Sequence, residues 1–114
     1  MNLLFVYNAN SGKLNAAFDM AHKAISPSTY KCSLCALTHN PLKEKKEWVD
    51  FQKASKHCME FLHKDEFEKK FSQKFEYPVV LKMSGKLSPV ISKAQLGKYQ
   101  VLREMMADLE QLPD

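Results

Sequence analysis

A chain of 114 residues fits one ordinary domain and leaves no room for a second. Its 45% hydrophobic and 26% charged content excludes a disordered or fibrous chain, and no apolar run approaches the roughly 20 residues that a membrane span requires. The formal charge of +4, from 17 basic against 13 acidic residues, is small and falls in mixed stretches at 43–47 and 65–70. Such mixing marks solvated helix faces and argues against a nucleic-acid surface.

Residues 3–7, Leu-Leu-Phe-Val-Tyr, form a continuous apolar run that suits a central strand buried on both faces. The segment lacks a basic leader and a small-residue cleavage site, so no export signal is read and the expected compartment is the cytoplasm. Asn8 to Gly12 supply turn and helix-capping residues. From 13 to 25 the period changes: Leu14, Ala17, Phe18, Ala21 and Ile25 share one helical face, and Asn15, Asp19 and His22 form a neighbouring stripe. Pro27 ends that helix. Residues 29–41 read as irregular and carry Cys32 and Cys35. A second helix is expected over 42–55, with Trp48 and Phe51 on one side. A strand follows over 58–62, with Cys58 taken as an inert core thiol and His57 and His63 facing solvent. Asp65 opens a helix in which Phe67, Phe71 and Phe75 recur every four residues. A third strand covers 79–83. Ser84-Gly85 signals a hairpin, and Pro89 confines the fourth strand to an edge. Ser92 and Gln95 fit a capping box for one last helix, with Leu96, Tyr99, Leu102, Met105 or Met106, Leu109 and Leu112 as its buried stripe.

Without the segment at about 26–55, the element order is β-α-β-α-β-β-α. This order resembles the thioredoxin-like fold over nearly the whole chain. The resemblance implies an α/β domain spanning 1–114: a central four-stranded mixed sheet flanked by helices, with a loop-helix insertion after the first helix. It also implies a cis proline before the third strand, beside the active site, and Pro78 holds the matching position. One departure stands out. In that family the Cys-x-x-Cys follows the first strand directly, whereas here that place is taken by Asn8 to Gly12. The inserted segment must climb back towards the end of the first strand. At ~3.3–3.6 Å per extended residue it is long enough to do so, which leaves the cysteines anywhere between the middle of the first helix and that end of the sheet, near Ser11 and Pro78. Asn8 and Pro78 are the residues expected beside the site.

Tyr7-Asn8-Ala9, Ser11-Gly12, Asp19, His22-Lys23, Ser26-Pro27, Thr29-Tyr30, Cys32, Leu34-Cys35 and Leu37-Thr38 also resemble a group of small bacterial proteins, some of them loosely labelled GTPases. The residues do not justify that label. The full phosphate-loop pattern is missing, and Leu14 follows Lys13 where a magnesium-binding hydroxyl belongs. A weak anion site at the amides of Ser11 and Gly12 is the residual expectation.

Two thiols three residues apart support two chemistries. The first is thiol–disulfide exchange. It requires no cofactor and takes a small-molecule or protein thiol partner. By analogy Cys32 attacks and Cys35 resolves, with Lys31 and His39 as nearby cations that favour the thiolate. The second is zinc binding by Cys32, Cys35, His39 and His22, with Asp19 orienting His22 or replacing it. A third possibility is a non-catalytic interaction protein, which inert thiols and a large exposed apolar patch would mark. No membrane or nucleic-acid partner is expected.

Overall fold

The computed structural model describes residues 1–12, 32–39 and 43–113, and among them it is a mixed α/β structure built on one four-stranded sheet. The helix expected over 13–25, with Asp19 and His22, lies outside the described residues, as does Lys31.

The strands are β1 (Asn2–Tyr7), β2 (Cys58–His63), β3 (Val79–Ser84) and β4 (Lys86–Ile91), arranged in space as β2-β1-β3-β4. β1 runs parallel to β2 and antiparallel to β3, and β3 is antiparallel to β4. The apolar run of β1 fits its central position: Leu3, Leu4, Phe5, Val6 and Tyr7 are all buried. Pro89 sits in the edge strand β4, where a residue without an N–H is tolerated, and the ladder slips between Val80 and Leu81. Gly85 turns the hairpin between Ser84 and Lys86 with φ +73°, a conformation glycine adopts without steric cost. The peptide bond between Tyr77 and Pro78 is cis.

Five helices lie among the described residues: α1 (Ser33–Thr38), α2 (Lys46–Ala54), α3 (Lys64–Phe71), α4 (Lys93–Lys98) and α5 (Leu102–Gln111). None is long and apolar enough to cross a membrane. Two of them correct the sequence reading. The cysteine segment is helical rather than irregular over Ser33–Thr38, because Cys32 caps it and Leu34, Leu37 and Thr38 bury one side. The last helix is two helices. Glu104 accepts hydrogen bonds from the backbone N–H of Gln100 (2.7 Å) and Val101 (3.2 Å), which starts a new helix where one continuous helix was expected.

Alternation along β1 divides the interior in two. Leu3, Phe5 and Tyr7 face a cluster with Cys32, Leu34, Leu37, Trp48, Leu96, Leu102, Met105 and Leu109, so α1, α2, α4 and α5 cover this face. Leu4 and Val6 point the other way, into a cluster with Phe67, Tyr77, Val79 and Leu81 that α3 covers. Phe5 is the pivot of the first face, with its ring 5.6 Å from Trp48 and stacked 4.9 Å from Phe61. Phe67 plays that part on the second, stacked 5.1 Å from Phe71 and tilted against Phe75 at 5.8 Å.

Candidate functional site

Cys32 and Cys35 meet at the start of α1. Their sulfurs are 2.9 Å apart and, like Cys58, they are thiols rather than half-cystines. The geometry follows from local hydrogen bonding. The backbone N–H of Cys35 donates to Cys32 Sγ at 3.3 Å, and that of Ala36 donates to the Cys32 carbonyl at 3.0 Å. One helical turn thereby folds the second cysteine back over the first. The two side chains differ in access: Cys32 is 1% exposed and sits in the core cluster, while Cys35 is only partly buried against it.

The pair lies at the carboxyl end of β1. Tyr7, the last residue of that strand, shares the Cys32 cluster. Burial above all, then the electrostatic influence of Cys35, Glu44 and Cys32, raises the Tyr7 phenol far above its ordinary range, and the Thr38 hydroxyl works in the opposite direction. Tyr7 is therefore a protonated phenol at any working pH. Two imidazoles flank it, with ring centres 5.9 Å (His39) and 5.8 Å (His63) from its own. His39 is held by Thr38, whose Oγ1 lies 2.7 Å from His39 Nδ1 and donates to the Leu34 carbonyl at 3.0 Å. An isolated bridge between His39 and Glu44 brings that carboxylate-bearing residue to the same end of the sheet.

The remaining predicted residues lie at the same end but do other work. Pro78 is buried immediately before Val79, which pairs with Val6, so it adjoins the end of β1. Asn8 Oδ1 accepts from Lys64 Nζ at 3.4 Å. Ser11 does bind an anion, and the anion is internal: its N–H donates to Asp65 Oδ1 at 2.9 Å and its hydroxyl to Oδ2 at 2.7 Å. The Ser11 hydroxyl is the main reason that the Asp65 carboxyl is held below its ordinary value. Gly12, with φ +115°, follows directly.

Of the zinc ligands considered, His22 and Asp19 lie outside the described residues. Among the described residues no group of three or more His, Cys, Asp or Glu side chains converges as a metal ion requires. Two other expectations need revision. Cys58 is exposed rather than buried, because it opens the edge strand β2. His57 does not face solvent: it is 4% exposed, with Nε2 donating to the Leu109 carbonyl at 3.0 Å and Nδ1 left without a partner. The His63 side chain does reach solvent, and its Nδ1 is 2.9 Å from Glu66 Oε1. The residue that sequence reasoning missed is Tyr7. The available signal was a phenol ending a central apolar strand, since sites in open α/β sheets gather at the carboxyl ends of strands. Among the described residues Val101, at 52%, is the one large hydrophobic side chain that is exposed.

Comparison of the chain with protein-family models, with curated proteins and with solved structures gives no match.

Proposed function

We propose that the chain is a thioredoxin-like domain that carries out thiol–disulfide exchange through Cys32 and Cys35, with a disulfide-bearing small molecule or protein as its partner. The fold part of this reading is supported by strand order. The arrangement β2-β1-β3-β4, with β3 antiparallel to β1 and helices on both faces, is similar to a thioredoxin-like core. The chemical part is carried by one observation: two thiols with sulfurs 2.9 Å apart at the end of the central strand. In this arrangement, oxidation to a bridge needs little movement. The Cys35 N–H aimed at Cys32 Sγ favours negative charge on that sulfur, as a leaving or resolving thiolate requires. An inserted segment, rather than the loop directly after β1, supplies the cysteines.

The test is metal analysis with thiol titration on protein purified without chelator, followed by equilibration in glutathione buffers of graded ratio. The expected result is metal-free protein in which Cys32 and Cys35 oxidise together and reversibly. Stoichiometric zinc, with thiols that react only after chelation, overturns the redox reading in favour of a Cys32, Cys35, His39 and His22 site. Thiols that neither bind metal nor bridge leave an interaction protein.

A further inference from the structure

We propose that Cys35, not Cys32, is the attacking thiol of the pair, and that the buried Cys32 resolves the mixed disulfide. This rests on the redox reading above and reverses the roles that resemblance alone implies. Access decides the roles, and here it outweighs the thiolate-stabilising N–H that Cys32 Sγ receives. An attacking sulfur must approach a partner disulfide in line, with the partner's own atoms around it. Cys32 Sγ cannot be approached in that way: the residue is 1% exposed and sits in the core cluster with Tyr7 and Leu34. Cys35 is the more open of the two, on a helical turn whose next residue, Ala36, is exposed. The resolving step has the reverse requirement. It needs a sulfur already close to Cys35 Sγ and shielded from outside disulfides, and Cys32 Sγ at 2.9 Å fits both needs.

The chemistry balances as follows. Cys35 thiolate attacks a partner disulfide RS–SR, forming Cys35–S–SR and releasing one RS⁻. Cys32, losing its proton to solvent, attacks the Cys35 sulfur, forming the Cys32-to-Cys35 bridge and releasing the second RS⁻. The domain loses two electrons and the partner disulfide gains them. A dithiol reductant returns the domain to its starting state by the reverse exchanges.

The test uses an aromatic disulfide, 5,5′-dithiobis(2-nitrobenzoate), whose released thiolate is coloured. The background is Cys58→Ser, because Cys58 is exposed and would react on its own account. Adding Cys32→Ser should leave a protein that releases one thiolate at the rate of the first step in the parent. Adding Cys35→Ser should leave one that reacts slower by about tenfold or more, since access governs the rate of exchange. The two single-thiol proteins should react alike in denaturant. Equal or faster reaction of the folded Cys35→Ser protein overturns the proposal. A measurement independent of how the variants fold uses the Cys58→Ser protein with less than one equivalent of iodoacetamide, followed by peptide mapping. Label mainly on Cys35 supports the proposal, and label mainly on Cys32 overturns it. Failure of the underlying redox reading looks different. The parent would then accumulate two aryl adducts instead of an internal bridge, a result that mass spectrometry distinguishes whichever cysteine reacts first.

Discussion

The two faces of the sheet are built from alternate residues of the same strand, yet they differ in kind. Behind Leu4 and Val6 lies an aromatic cluster of Phe67, Phe71, Phe75 and Tyr77, where the one polar tip, the Tyr77 hydroxyl, reaches out to Glu68 at 2.8 Å. Behind Leu3, Phe5 and Tyr7 lie the cysteine pair and the protonated Tyr7 phenol. The two buried polar residues among those described, Thr38 and His57, also belong to this side. Thr38 lies in α1, and His57 binds the carbonyl of Leu109, a member of the first cluster. Burying polar groups costs stability unless each is paired. The first face therefore carries polar groups that must be paired, as Thr38 and His57 Nε2 are, and the second largely avoids them.

The sharpest way to break this contrast is to empty one cavity on each face. Phe67→Ala on the second face should cost about 3–5 kcal/mol, and Leu34→Ala on the first about 2–5 kcal/mol, both read by denaturant unfolding. The losses are similar and the consequences should not be. With Phe67→Ala the relative reactivity of Cys35 over Cys32 should stay as in the parent, because α3 lies across the sheet from both sulfurs. With Leu34→Ala, which removes a side chain lying between the two cysteines in sequence and packed with Cys32 in the core, Cys32 should become more reactive and the difference should shrink. Equal effects of the two substitutions on thiol reactivity would show that the faces are not separate.

A smaller effect is expected at His57. Its Nε2 to Leu109 carbonyl hydrogen bond joins the approach to β2 to α5, 52 residues apart in sequence. His57→Ala should cost about 1–3 kcal/mol, the usual range when a buried polar contact is lost. Because the contact lies at the opposite end of β2 from His63, which pairs with Tyr7, thiol reactivity should not change with it. A stability change within experimental error would mean that the unpartnered Nδ1 already cancels the benefit of the bond.

Much of this division was legible in the chain. The run at 3–7 announced a central strand, Pro89 an edge and Ser84-Gly85 a hairpin, because each rests on a local rule that tertiary packing did not override. The α1 helix was not legible. Six residues are too few to establish a period, and its start depends on a cysteine sulfur accepting a backbone N–H, which is not a usual capping signal. The break between α4 and α5 was hidden for a related reason: the apolar stripe from Leu96 to Leu109 keeps helical spacing, while the Glu104 side chain decides locally where a new helix begins. His57 and Cys58 were misassigned because burial on an edge strand depends on which helix comes to cover it, and here α5 covers His57 and not Cys58. The site itself was half visible. The cysteine spacing pointed to the proposed chemistry, but Tyr7 joined the site only through the packing of residues 32–39 against the end of β1.

The smallest effect concerns a pair outside both clusters, Ser11 with Asp65. Hydrogen bonds from Ser11 hold the Asp65 carboxyl below its ordinary value of 3.8 in the folded chain. A depressed carboxylate contributes stability that is fully present above the unfolded value and lost as pH falls through the folded one. The stability advantage of the parent over Asp65→Asn should thus be constant at neutral pH and shrink only below the ordinary carboxylate value. The residue is exposed, so the advantage should be under about 1 kcal/mol. Titration of Asp65 by carbon-13 NMR should show the depressed value in the parent and a return towards 3.8 in Ser11→Ala. If Ser11→Ala leaves that value where it was, the depression has another source, and the turn after β1 is held by something other than this carboxylate. If it returns as expected, the Ser11 amide and hydroxyl that suggested a phosphate site are accounted for within the chain. The exchange proposed for this end of the sheet then rests on the cysteine face alone.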